Sequence, residues 1–201
     1  MLDRALRRVI DPCLEPVAGL MLRSGVTANG VTVLGFVLGL GGCAAIAAGF
    51  VWLGLVLILG NRLADGLDGM VARRSSGTGA GSDLGGFLDI VLDLLFYALV
   101  PLSFGLLDRE RNLLPAAVLL VSFFGTSGSF LAYAVLMAKR GDSGDGKSFF
   151  YSAGLMEGSE TVLFFVAFCV FPGWFAELAW VFAGLCLLTT LQRVLAGMRM
   201  F

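Results

Sequence analysis

The chain has 201 residues, of which 58% are hydrophobic and only 14% are charged, and its mean hydropathy is +0.90. A soluble domain carries about a quarter charged residues, so this composition excludes an ordinary soluble protein and predicts an integral membrane protein. The net charge of −1 argues against a nucleic-acid partner, and a sequence without histidine excludes a histidine nucleophile or base.

Length limits the number of membrane spans. One spanning helix takes about 20 residues, so the chain has room for six spans joined by short loops. We therefore predict an all-α fold with six transmembrane helices in one membrane domain, residues 25–201. An amphipathic segment, residues 1–24, is predicted to precede this domain at the membrane interface.

The N-terminal segment has one apolar helical stripe, with most charged residues on other faces. The stripe consists of Leu2, Leu6, Val9, Ile10, Cys13, Leu14, Val17 and Met21. Acidic residues and prolines interrupt the apolar run, which is therefore not a cleavable signal peptide, and Pro12 is expected to break the helix. The arginines either attract anionic lipid or form a solvated face, and the sequence leaves both open.

The first predicted span covers residues 27–49. Either Thr27 or Asn29 is suited to cap its N-terminus. Gly35 and Gly39 form a small-xxx-small pair, which allows another helix to pack closely and gives weak support for a dimer interface.

Four aspartates lie in the second and third predicted spans, residues 52–72 and 86–107. They are Asp65, Asp68, Asp89 and Asp93. The first two are three residues apart and the last two are four apart, so each pair projects from one face of its helix. A charge in a membrane costs about 3 kcal/mol or more, so these carboxylates indicate a function. If the two helices are neighbours, the carboxylates converge on one pocket that suits Mg²⁺ or Mn²⁺.

Basic residues and glycines accompany the aspartates. Arg62 lies inside the second span and needs an anionic partner, for which Asp65 and a substrate phosphate are the candidates. Arg73 would supply a forked donor for a phosphate. Backbone without side chains lies beside the carboxylates at Gly66, Gly69, Gly85 and Gly86. Metals, accessible backbone and an arginine together indicate phosphoryl transfer.

The remaining spans are predicted at residues 113–138, 154–172 and 175–197. With the N-terminus in the cytoplasm, eleven basic residues fall on the inner side and only Arg109 and Arg111 fall outside. The inner residues are Arg4, Arg7, Arg8, Arg23, Arg73, Arg74, Lys139, Arg140, Lys147, Arg193 and Arg199. This distribution predicts that the acidic pocket opens toward the cytoplasm.

The segment from Asp65 to Asp93 resembles the signature of the CDP-alcohol phosphotransferase family, D-x2-D-G-x2-A-R, a spacer, and G-x3-D-x3-D. The matching positions are Asp65, Asp68, Gly69, Ala72, Arg73, Gly85, Asp89 and Asp93. The spacer, residues 74–84, is three residues longer than is usual in the family. We expect this to alter the loop rather than the carboxylates. Residues 27–32 are also similar to a Thr-Pro-Asn-x-x-Thr segment of the family, with Ala28 in place of proline.

This resemblance implies transfer of a phosphatidyl group from a CDP-linked lipid, most often CDP-diacylglycerol, to the hydroxyl of a polar alcohol, with release of CMP. It implies two Mg²⁺ or Mn²⁺ ions, with Asp93 as the base. The implied metal ligands are Asp65, Asp68, Asp89 and Asp93. The implied nucleotide contacts are Asn29, Asp65, Asp68, Gly69, Ala72 and Arg73.

Acceptor or phosphate contacts are expected from Arg62, Lys139, Glu157 and Arg193. In the acidic segment that contains Glu157, Ser159 and Glu160 could instead simply cap the fifth span and favour its N-terminal dipole. The resemblance further implies a homodimer in the cell inner membrane. Two alternatives remain open. An intramembrane prenyltransferase also gathers aspartates around Mg²⁺, and an ion-coupled transporter commonly buries carboxylates.

Overall fold

The computed structural model describes residues 14–75, 83–140, 156 and 158–200. These residues are almost entirely helical and include no strand, which confirms the all-α prediction. The helices are α1 (residues 14–23), α2 (Ala28–Ala47), α3 (Val51–Ser75), α4 (Asp83–Leu107), α5 (Arg109–Lys139), α6 (Gly158–Val170) and α7 (Phe175–Met200). A single 3-10 turn, Pro172–Trp174, comes directly before α7.

Helices α2 to α7 correspond to the six predicted spans, and four segments are long and apolar enough to cross a membrane. These are Ala28–Ala47, Asp83–Leu107, Arg109–Lys139 and Pro172–Met200. The chain is thus an integral membrane protein. Helix α3 has 25 residues but carries several charges, and α6 has only 13 residues. The count of six spans therefore stays a prediction.

The chain divides into two compact units, residues 1–103 and 104–201. In the first unit, α2 and α3 form a helical hairpin whose turn contains Gly49 at φ +91°. A Cβ atom at Gly54 would lie 3.0 Å from the carbonyl oxygen of Gly42, so the two helices approach closely. Glycine permits both features, because it tolerates positive φ and leaves room for the neighbouring backbone.

The predicted glycine pair of α2 packs inside this unit. A Cβ atom at Gly35 would lie 2.9 Å from the Cβ of Ala64, and one at Gly39 would lie 2.6 Å from the ring of Phe96. Close helix packing at these glycines is thus confirmed. Because α3 and α4 already cover this face, it gives no support to the dimer interface that the sequence suggested.

Helix α1 packs against the end of α3 that follows the acidic residues. Ala18 is fully buried among Leu67 and Val71, and Arg74 forms an ion pair with Glu15. Val17 and Leu20 are exposed. The predicted location of this segment on the membrane surface stays a prediction, and residues 1–13 lie outside the described residues.

The second unit has an aromatic core and a seam of neutral polar groups. The rings of Phe104 and Phe175 stack with their centroids 4.8 Å apart. Along the seam between α5 and α7, the hydroxyl of Thr126 donates to the carbonyl oxygen of Cys186 at 3.2 Å. A Cβ atom at Gly125 would lie 3.1 Å from the hydroxyl of Thr190, so the two helices are in close contact here.

Candidate active site

One pocket in the first unit is lined by all four aspartates of the motif. The lining residues are Thr32, Gly35, Phe36, Asn61, Arg62, Asp65, Asp68, Asp89, Leu92 and Asp93. Helix α3 supplies Asp65 and Asp68, and α4 supplies Asp89 and Asp93. The predicted convergence of the two pairs is therefore confirmed.

Helix α2 forms the third wall of the pocket because it packs closely on α3. The side-chain amide of Asn61 donates to the carbonyl oxygen of Gly35 at 2.9 Å. A few residues along the same pair of helices, the hydroxyl of Thr32 donates to Oδ2 of Asp68 at 2.6 Å. Asp68 is a buried residue, so this hydrogen bond holds its carboxylate at the pocket wall.

Arg62 is the cation of the pocket wall. Its Nη2 lies 2.5 Å from Oδ1 of Asp93, and its Nη1 lies 3.8 Å from Oδ2 of Asp65. The expected ion pair with Asp65 is thus present, but the closer partner is Asp93, which the sequence analysis did not name. Asp93 comes from the neighbouring helix and meets the guanidinium directly, whereas Asp65 follows Arg62 on the same helix and reaches it only loosely.

Further contacts fix the orientation of Arg62. Its Nε donates to Oδ1 of Asn61 at 2.7 Å, and its Nη1 donates to the hydroxyl of Tyr97 at 3.2 Å. The guanidinium carbon lies 4.8 Å from the centroid of the Phe96 ring, within range of a cation–π interaction. Hydrogen bonds on three nitrogens and an aromatic face hold the fork in one place.

The chemistry of the lining suits a hard divalent cation. The described lining side chains include four carboxylates and one guanidinium, which leaves three carboxylates in excess. Oxygen ligands of this kind are those that Mg²⁺ and Mn²⁺ prefer. Within the described ranges, however, no three acidic or cysteine side chains are arranged closely enough to hold one ion. Arg62 forms ion pairs with two of these carboxylates, Asp65 and Asp93.

The expected nucleotide contacts lie at the ends of α2 and α3. Thr27, rather than Asn29, caps α2, because its Oγ1 accepts from the backbone N–H of Gly30 at 3.2 Å. Asn29 is half-buried and is not among the described residues that line the pocket. Arg73 is exposed, and a Cβ atom at Gly69 would lie 3.3 Å from its Nη1. The arginine therefore lies over the glycine one turn before it.

The expected acceptor contacts other than Arg62 lie elsewhere. Lys139 is the exposed last residue of α5, and Arg193 is buried in α7, both in the second unit. Nη1 of Arg193 donates to the carbonyl oxygen of Thr126 at 2.9 Å. Glu157 and most of the long spacer, residues 76–82, lie outside the described residues.

Three polar residues at the site were assigned no role from the sequence: Thr32, Asn61 and Tyr97. Tyr97 follows Asp93 by four residues, a helical spacing that places it on the same face and that could have identified it. Thr32 and Asn61 contact their partners across helices, which no local spacing indicates.

Comparisons with known proteins agree with this arrangement. The sequence model of the CDP-alcohol phosphatidyltransferase family matches residues 25–192. The chain is 48% identical to inner membrane protein YnjF of Escherichia coli (strain K12) over 200 residues, which are 98% of this chain and 95% of that protein. It is 31% identical to an uncharacterized protein of Aquifex aeolicus over 132 residues, which are 63% of this chain and 65% of that protein.

Solved structures with a similar fold include phosphatidylinositol phosphate synthase (PgsA1) of Mycobacterium tuberculosis. Its complex with manganese and citrate has a TM-score of 0.62 at 23% identity, over 90% of this chain and 87% of that one. Its structure with CDP-DAG bound has the same TM-score and identity, over 90% of this chain and 91% of that one. This likeness shows that the two proteins share a fold.

Proposed function

Because the chain belongs to the CDP-alcohol phosphatidyltransferase family, we propose that it transfers a phosphatidyl group from CDP-diacylglycerol to the hydroxyl of a polar alcohol and releases CMP. The observation that carries this proposal is the pocket lined by Asp65, Asp68, Asp89 and Asp93, the four carboxylates of the motif. The family match favours this reaction over the prenyltransferase and transporter alternatives.

The same carboxylates are the proposed ligands of two Mg²⁺ or Mn²⁺ ions, with Asp65, Asp68 and Asp89 as the main ligands and Asp93 contributing. Bound divalent ions would neutralise the pyrophosphate and stabilise the charge of the transition state. Thr32 assists by holding the buried carboxylate of Asp68 at 2.6 Å. The relative of known structure was crystallised with manganese, which supports a metal of this kind.

Asp93 is the proposed general base. The attacking alcohol gives its hydroxyl proton to this carboxylate, while the oxygen of the alcohol forms a bond to the lipid-side phosphorus. The bond from that phosphorus to the bridging oxygen of the pyrophosphate breaks, and CMP leaves with the electron pair. No covalent intermediate with the protein is needed. Asp93 is at the pocket surface, with 28% of its side chain exposed, so an alcohol can approach it.

The CDP group is proposed to lie along the end of α3, beside the small residues Gly69 and Ala72 and the exposed Arg73. Its forked guanidinium suits a phosphate. Asp65, Asp68 and Asn29 complete the proposed set of nucleotide contacts. The solved structure of PgsA1 with CDP-DAG bound supports a CDP-linked lipid as the donor.

The acceptor is proposed to be a polar alcohol, with Arg62, Lys139, Glu157 and Arg193 as candidate contacts to it or to its phosphate. We also propose that the pocket faces the cytoplasm, where nucleotides and Mg²⁺ are available, and that the protein is a homodimer in the inner membrane. The positive-inside distribution supports this orientation, and the name of the E. coli relative supports this location.

Release of CMP from CDP-diacylglycerol tests the proposal. The purified protein, in a lipid nanodisc with Mg²⁺ or Mn²⁺, is incubated with a panel of alcohols that includes serine, glycerol phosphate, inositol phosphate and choline. We expect CMP release that depends on one of these alcohols and yields the matching phospholipid. A folded protein that releases no CMP with any member of the panel would contradict the proposal.

A further inference from the structure

The pocket contains a cation that the protein itself supplies, the guanidinium of Arg62. Arg62 lies within α3, and only 13% of its side chain is exposed. It faces the two carboxylates that bracket the motif, Asp93 at 2.5 Å and Asp65 at 3.8 Å. The Coulomb energy between two charges grows as their separation and the local dielectric constant fall. A guanidinium at these distances therefore lowers the affinity of the two carboxylates for another cation.

The neighbours of Arg62 keep its guanidinium in this position. Asn61 accepts from Nε at 2.7 Å, Tyr97 accepts from Nη1 at 3.2 Å, and the ring of Phe96 lies 4.8 Å below the guanidinium carbon. A surface arginine that met a carboxylate by chance would not have three such supports. The fork is therefore built into the pocket wall.

We propose that Arg62 is a positioning residue that acts as a resident counterion: it holds Asp93 in place in the metal-free pocket and competes with the divalent cation for Asp93 and Asp65. This inference rests on the proposed function, because it concerns the same carboxylates. The competition follows from charge, since a carboxylate neutralised by a guanidinium attracts a cation less strongly.

Arg62→Gln tests the proposal through Mn²⁺ affinity rather than through activity. Removing the positive charge should tighten Mn²⁺ binding by roughly tenfold or more, measured by electron paramagnetic resonance of free Mn²⁺ in nanodisc samples. The same variant should have a lower thermal unfolding temperature than the wild type in excess chelator and a larger rise in that temperature with Mn²⁺, because ligand binding stabilises the folded state.

Two further variants make the readout specific. Arg62→Lys keeps the charge but loses the fork, so its Mn²⁺ affinity should fall between those of the wild type and Arg62→Gln. It also keeps the test decisive if Arg62→Gln does not fold. Arg111→Gln removes an arginine whose ion pair with Glu177 lies in the second unit, and it should leave Mn²⁺ affinity unchanged.

The outcomes separate this inference from the proposed function. If the wild type binds Mn²⁺ and releases CMP, but neither Arg62 variant binds Mn²⁺ more tightly, Arg62 is only a structural ion-pair partner and the inference is overturned. If neither the wild type nor the folded variants bind Mn²⁺, the inference and the metal proposal both fail. Tighter binding in Arg62→Gln with an unchanged Arg111→Gln control supports the resident counterion.

Discussion

Two arginines, the partly buried Arg62 and the buried Arg193, show how differently the two units of this protein accommodate a positive charge. In the first unit, Arg62 contacts the carboxylates of Asp93 and Asp65. In the second unit, Arg193 donates to the backbone carbonyl oxygen of Thr126. One arginine is thus part of a cluster of ionised groups, and the other is held in part by a peptide dipole.

The surroundings of the two arginines differ in the same way. The pocket of the first unit has an excess of carboxylates, whereas the seam of the second unit consists largely of hydroxyl groups that bond to carbonyl oxygens within the unit. Hydroxyl groups satisfied in this way need no ligand. Clustered carboxylates in a membrane protein are costly unless something compensates their charge. The difference supports the proposed cation site in the first unit, and it indicates that the seam of the second unit packs helices.

Removal of divalent metal should have the largest effect on activity. The metal is proposed to neutralise the carboxylates of the first unit, and the seam of the second unit needs no such ion. We expect CMP release to fall to background in excess chelator and to return when Mg²⁺ or Mn²⁺ is restored. The measurement is CMP release before chelation, during chelation and after metal is added back. Activity that persists in excess chelator would show that the carboxylates work without a metal.

Asp93→Asn should lower kcat by roughly 10²–10⁴-fold, because the amide cannot take the proton of the attacking hydroxyl. Binding of the CDP-linked lipid should be largely retained, and both are measured on the purified variant. Glu177→Gln changes a carboxylate that pairs with Arg111 in the second unit and should leave kcat unchanged. Wild-type turnover in Asp93→Asn would remove this residue as the base.

Thr32→Val and Thr190→Val compare the two polar environments directly. Thr32 donates to a carboxylate of the pocket, and Thr190 donates to the carbonyl oxygen of Cys186 in the seam. Thr32→Val should weaken Mn²⁺ binding by about 10–100-fold, as expected when a group that orients a metal ligand is lost. Thr190→Val should not change Mn²⁺ affinity, although each variant should lose about 1 kcal/mol of stability. Equal Mn²⁺ affinities in the two variants would remove the special role of Thr32.

Glycine substitutions should give the smallest effects, on stability alone. Gly54→Ala places a Cβ atom 3.0 Å from the carbonyl oxygen of Gly42 and should cost about 1–3 kcal/mol of unfolding free energy. Gly184→Ala meets no atom within 4 Å and should gain up to about 1 kcal/mol from helix propensity. Thermal unfolding in detergent measures both. A neutral Gly54→Ala would indicate that α2 and α3 are farther apart than described.

Much of this arrangement could be predicted because it is local in the sequence. Long apolar runs predict helices, and the spacings of Asp65 with Asp68 and of Asp89 with Asp93 predict which side chains share a face. The motif then indicated that the two helices are neighbours. These predictions needed helical geometry, the cost of a charge in a membrane and the resemblance to the family motif.

The partners across helices could not be predicted in this way. Arg62 and Asp93 are 31 residues apart, and Thr32 and Asp68 are 36 apart, so their contacts depend on how α2, α3 and α4 pack. The same packing covers Gly35, which sequence spacing alone could not distinguish from a dimer contact. The number of membrane spans also stays a prediction. The charged residues of α3, which include Asp65 and Asp68, lower its hydropathy, so α3 is not among the helices that are apolar enough to be identified as a span.

Anomalous diffraction from crystals grown with Mn²⁺ would locate the metal independently of any assay. We expect anomalous density in the pocket of the first unit, within ligand distance of carboxylate oxygens from both α3 and α4. Well-ordered aspartates with no density between them, in crystals of protein that releases CMP with the same Mn²⁺, would contradict this expectation.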